Sequence, residues 1–125
     1  MNNPLLRRLL EKAKHLQQTS YITLTAIHPI DRTQPVPSRH ISIKNLNQLN
    51  ADYKQLEIAN NRGWGAYMGI GYRKNELQRF QRGGKCDIIA LPAIFADVDR
   101  PPHLVLPRLN SVPKPSLVIA SGGGV

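Results

Sequence analysis

The segment Ile94-Phe95-Ala96-Asp97-Val98-Asp99 places two carboxylates two residues apart at the end of an apolar run. On a strand, alternate side chains share a face, so Asp97 and Asp99 would point the same way as Phe95, and Ala96 and Val98 the other way. Their Cα atoms would stand about 7 Å apart. Like charges beside apolar side chains need a cation or strong partners. Hard Mg2+ or Mn2+ prefers such oxygen donors, and a pair of these ions clamps the attacking and leaving oxygens in phosphoryl transfer. The same D-x-D also fits two solvated carboxylates that cap the following loop.

A second candidate is Ser121-Gly122-Gly123-Gly124, a turn that follows an expected strand over residues 116–120. Its amides are unobstructed by side chains and can form a nest for a triphosphate. A flexible linker has the same composition. No Gly-Lys-Ser/Thr follows, and the G-x-G-x-x-G spacing is absent, so neither the Walker loop nor the dinucleotide fingerprint applies. The third candidate is an expected strand over residues 66–72, where Tyr67, Gly69 and Gly71 share a face with Arg73 in phase and Lys74 beside it. An aromatic with basic neighbours can contact a base and a phosphate. A core strand ending in a solvated Arg-Lys pair fits equally. His15, His28, His40 and His103 pair at no metal-ligand spacing, and they read as surface or structural residues.

Lysine and arginine number 17 against 8 acidic residues, a net charge of +9. Such an excess suits a polyanionic partner, because each neutralised phosphate releases condensed counterions. It also suits a merely basic, soluble surface. The pairing of Asp97 with Asp99 inside an apolar stretch of a basic chain is what favours a metal-ion reading. The single cysteine, Cys86, excludes an internal disulfide and fits a reducing cytoplasm, where it would pack as a small apolar group. No apolar run approaches the roughly 20 residues of a membrane span. Charged Glu11, Lys12 and Lys14 follow Arg7 and Arg8 where a signal peptide would stay apolar. The expectation is a cytoplasmic protein with no membrane partner.

The positioning elements follow from periodicity. Residues 4–17 read as an amphipathic helix capped by Asn3, with Pro4 in its first turn and a stripe of Leu5, Leu6, Leu9, Leu10, Ala13 and Leu16. Residues 21–27 alternate as a half-buried strand, and residues 39–43 return as its partner across a proline-bearing loop. A second helix spans residues 45–61, with Gly63 placed to end it. The glycines of the 66–72 strand imply close approach by another backbone or a ligand. A short helix is expected at 75–81, a strand bent by Pro92 over 88–98, coil from 101 to 115 with a helical turn near 104–109, and the strand 116–120. With no internal repeat, the pattern predicts an α+β domain, a mixed sheet with flanking helices.

The order of motifs, a glycine-bearing strand ending in a basic residue, then ALPAIFADVDRPP, then PSLVIASGGGV, resembles the archaeo-eukaryotic primase superfamily. The branch it is most similar to is the primase-polymerases of phages, plasmids and other mobile elements. The resemblance covers roughly residues 60–125, and residues 1–59 share only the element order. It implies that Asp97 and Asp99 are catalytic ligands of divalent metal, and that Ser121, Gly122, Gly123 and Gly124 bind the incoming nucleotide. Arg73 is a looser match to a basic residue of the earlier strand. The family fold joins an N-terminal α/β unit to an RRM-like unit with the active site between them, so residues 1–125 would hold the first unit and the opening strands of the second. The histidine that the family places after the glycine turn, and a third acidic ligand, are not among these residues.

The resemblance therefore implies a DNA primase-polymerase in the replication of DNA, of a mobile element by that branch. It would be a template-directed nucleotidyltransferase using Mg2+ or Mn2+, with single-stranded DNA and NTP or dNTP as partners and a replicative helicase domain or protein as a further one. The alternative is a non-catalytic single-stranded nucleic-acid-binding module with an RRM-like sheet. Against it stands the lack of an RNP aromatic pattern, since only Tyr67 and Tyr72 lie on the expected strand. A rolling-circle initiator would need an H-x-H metal pair, which is absent. On the primase reading, residues 1–125 alone are expected to be catalytically silent. Nucleotide incorporation by this chain, run beside a version carrying sequence after Val125, checks this: the short chain should give background, and equal rates would refute the catalytic inventory.

Overall fold

The computed structural model describes residues 3–16, 18–31 and 33–119. They fall into two compact units, Met1–Pro92 and Ala93–Val125. The first unit begins with helix α1, Pro4–Ala13. The Asn3 side chain accepts the Leu6 N–H at 3.0 Å and satisfies an amide that the helix leaves open. Its leucine stripe buries Leu6, Leu9 and Ala13. The helix stops short of the expected residue 17, because a turn from His15 N–H to Lys12 O closes it.

Strand β1, Tyr21–Ile27, is the centre of an antiparallel sheet. On one side it pairs with β2, Ser38–Ser42, from Tyr21 opposite Ser42 to Thr25 opposite Ser38. Helix α2, Leu46–Asn61, follows with Asn45 as its cap and Gly63 just past its end at φ 90°, a conformation that favours glycine. The other side of β1 takes β3, Gly65–Met68, and β4, Tyr72–Arg73, end to end. Extending the β1–β3 register from Leu24 opposite Met68 would bring Gly71 opposite Tyr21, yet Arg73 stands there. Two residues are thus bulged out, and a shift of two keeps Tyr67 and Arg73 on one face. Beyond β4 lies β5, Ile88–Ala90. The α+β class matches the expectation, and every strand pairing is antiparallel, so the sheet is not mixed in direction.

Ile22, Leu24 and Ala26 of β1 face the helices and form the core with Ile41, Tyr72, Leu6, Leu9, Leu49 and Leu56. Burial raises the pKa of the Tyr72 phenol, whose O–H donates to Leu9 O at 2.6 Å. The opposite face was expected to be solvated, but Thr23 and Thr25 are buried as well. They hydrogen-bond across the strand pair to His40 and Ser38, each at 2.9 Å.

Three expected elements differ. Residues 75–81 form turns, not a helix. Only Leu77 among them is even partly buried, so no apolar stripe drives helix formation. The strand expected over 88–98 keeps only Ile88–Ala90, and residues 93–99 carry no regular structure. β4 offers just two residues to pair with, and Pro92 lacks the N–H that a longer ladder needs. Residues 116–119 form no strand either. The second unit does contain α3, Pro102–Val105, and a 3-10 turn over Leu106–Ser111, near the helical turn expected at 104–109. Among the described residues no helix is long and apolar enough to cross a membrane.

Leu49 is fully buried, whereas Ile94 in the second unit is 103% exposed. Leu49→Ala should cost about 2–5 kcal/mol of unfolding free energy, and Ile94→Ala nearly nothing. Urea denaturation of the two variants beside the wild type checks the contrast.

Candidate functional site

Asp97 and Asp99 lie in irregular chain and are both exposed. A turn from Arg100 N–H to Val98 O, 2.9 Å, follows the pair. The strand alternation that would have set both carboxylates on one face is therefore absent, which corrects the expected geometry. Among the described residues neither aspartate is in a salt bridge; the ion pairs are Arg8–Glu11 and Arg39–Asp52. Nor, among those residues, does any group of three or more His, Cys, Asp or Glu converge in a way that could hold a metal. The donor set still fits a hard divalent ion, because Mg2+ is commonly held by one or two carboxylates with water and substrate phosphates completing its shell. Ser121, Gly122, Gly123 and Gly124 lie outside the described residues.

Arg73 does not project toward solvent as a phosphate contact would. Its guanidinium turns back over the sheet, donating to Gly71 O at 2.5 Å and to Arg82 O at 3.2 Å. Its Nε is buried without a hydrogen-bond partner among the described residues, and desolvation lowers its pKa, opposed by the nearby Asp87 charge. Gly69 makes room for this side chain. A Cβ there would lie 3.2 Å from Arg73 Nη1 and 3.3 Å from Thr23 Cβ. The close approach read from the glycines is thus to protein atoms. Lys74 is exposed, and Tyr67 is 54% exposed on the Thr25 side of the sheet.

What the sequence reading missed is the chain over residues 78–84. Arg79 O accepts from Ser38 N–H, Gln81 O from His40 Nε2, and Arg82 O from Arg73 Nη2. A carbonyl only accepts, so His40 Nε2 carries a hydrogen, and Nδ1 shares a hydrogen bond with the Thr23 hydroxyl. Three carbonyls are thereby pinned, while the side chains of Arg79, Phe80 and Arg82 stand exposed. The Arg79 guanidinium lies 5.5 Å from the Phe80 ring centroid, a cation–π arrangement. The signal was in the sequence: Arg79-Phe80-Gln81-Arg82-Gly83-Gly84-Lys85 interleaves an aromatic with cations beside two glycines. Cys86, expected to pack as an apolar group, is exposed in the 3-10 turn that follows.

Two grooves flank this chain. A groove of about 200 Å³ between α2 and β2 is lined by Arg39, Arg62 and Arg79 over Leu24, Leu56 and Ala59. Arg39 there is paired with buried Asp52 at 2.5 Å, leaving Arg62 and Arg79 to set the charge. A smaller one, about 120 Å³, sets Arg82 near Asp31 and His28. The Thr33 hydroxyl chiefly, then the Thr33 N–H and Gln34, lower the pKa of Asp31. It therefore stays charged at neutral pH and offsets Arg82 within that groove. Comparison with family models, with curated proteins and with solved structures finds no match.

His40 is here a structural residue, as its isolated position suggested. His40→Ala would orphan the Thr23 hydroxyl and the Gln81 carbonyl, at a cost of about 1–3 kcal/mol. Amide hydrogen exchange should accelerate across residues 79–82, and Mn2+ affinity should be unchanged. A large loss of Mn2+ binding without a loss of stability would give His40 a ligand role instead.

Proposed function

We propose that the chain is part of a DNA primase-polymerase that adds nucleotides to a template-directed strand by two-metal chemistry. The observation that carries this is the ordered pair of motifs, the apolar segment ending Asp97-Val98-Asp99 and the later Pro115-Ser116 segment leading to Ser121 and three glycines. The exposed carboxylates, free of salt bridges among the described residues of a basic chain, support it. Asp97 and Asp99 would hold the divalent cations, and the amides of Ser121, Gly122, Gly123 and Gly124 would receive the nucleotide phosphates. Cations held there would supply activation of an attacking 3′-hydroxyl and charge stabilisation for the pyrophosphate leaving group. The basic surface would track the single-stranded template, with a helicase as a further partner in a cytoplasmic setting.

A second reading, a non-catalytic single-strand-binding module, is favoured by the exposed Tyr67 and Phe80 and by the irregular chain around the aspartates. Metal dependence separates the two. On the first reading the chain binds Mn2+, followed by loss of the free-ion electron paramagnetic resonance signal, and binds a dNTP only when Mn2+ is present. Asp97→Ala or Asp99→Ala removes both properties and leaves the melting temperature unchanged or slightly raised, because a charge repulsion is relieved. Wild-type Mn2+ affinity in both variants would overturn the metal-site assignment.

A further inference from the structure

We infer that residues 78–84 are a contact for single-stranded nucleic acid, in which a base stacks on Phe80 and Arg79 and Arg62 hold neighbouring phosphates. Phe80 is 61% exposed and lies outside the core, so its ring is accessible to a ligand. The backbone beneath it is held by Ser38, His40 and Arg73, so the platform is preformed and little order is lost on binding. The Arg79 guanidinium over the ring gives a stack that a base can extend. Arg79 also reaches the groove with Arg62, where the one lining carboxylate among the described residues, Asp52, is already paired with Arg39. A phosphodiester next to the stacked base would therefore meet two guanidinium groups without a competing acid.

A duplex is the poorer fit, because its bases already stack on one another and present only edges. A purely electrostatic anion site is also a poorer fit, because it would not need the aromatic. The inference rests on the proposed function only in taking single-stranded nucleic acid as the partner; it requires neither metal nor catalysis.

The test is fluorescence anisotropy with an oligothymidylate about 12 nucleotides long and with an abasic sugar-phosphate strand of equal length. Phe80→Ala should weaken oligothymidylate binding by about 5- to 100-fold and leave binding of the abasic strand unchanged. Phe80→Trp should restore it. Arg79→Ala and Arg62→Ala should weaken both strands, each lowering the slope of log affinity against log salt by about 0.7. The exposure of Phe80 predicts an unchanged melting temperature for Phe80→Ala, which separates lost contact from lost fold. If the wild type binds and Phe80→Ala binds within twofold of it, the loop assignment fails alone. If the wild type binds neither strand at low salt, the nucleic-acid reading fails with it.

Discussion

The structure of the first unit depends on β1 being buried on both faces. A strand with one wet face can leave its hydroxyls to water, but Thr23 and Thr25 cannot do so here. Each has its partner directly across the β1–β2 register, His40 and Ser38. His40 then has a second nitrogen that must donate, and the nearest acceptor is Gln81 O. Satisfying a buried imidazole thus requires the chain near residue 81 to lie against the sheet. Ser38 N–H and Arg73 fix the same stretch through Arg79 O and Arg82 O. Side chains whose backbone is held inward in this way must point outward.

Most of the first unit was legible because its elements obey one period throughout. The leucine stripe of α1 with its Asn3 cap combines local propensity with a matching burial pattern, and the 21–27 strand and the helix ended by Gly63 were legible as elements. Where reading failed, the deciding term was non-local. Residues 75–81 contain helix formers, yet their carbonyls are claimed by Ser38 and His40 from a distant hairpin. The apolar run 88–98 looks like a strand, but a strand exists only with a partner, and β4 supplies one for just three residues. The half-buried reading of β1 failed likewise, since a Thr-rich face does not reveal that another segment will cover it.

The candidate sites were legible to unequal degrees for a related reason. Asp97 and Asp99 stand out as residue types at a spacing, so the sequence finds them without any fold, but their geometry rested on a strand that is not there. Arg73 was placed correctly on its face, yet its length let it fold back onto Gly71 and Arg82, an outcome no alternation rule contains. Phe80 was missed because a helix assigned to residues 75–81 would have made it one more side chain on a short amphipathic turn. Only the loop conformation makes its exposure informative.

These differences bear on how a basic chain can hold both acidic ligands and a polyanion. With 17 cationic side chains to 8 acidic ones, a carboxylate close to an arginine would be neutralised, as Asp52 is by Arg39. A metal ligand consumed in that way loses its affinity for the cation, and the arginine loses its affinity for phosphate. Among the described residues, Arg62 and Arg79 share their groove with no acid except the paired Asp52, and Asp97 and Asp99 form no ion pair. In the second groove Asp31 and Arg82 do lie together, and there the charges offset. On the proposed function, strand contact would fall to the first groove and the Phe80 platform, and metal contact to Asp97 and Asp99. Keeping opposite charges in separate stretches would let each retain the ligand that its own charge attracts.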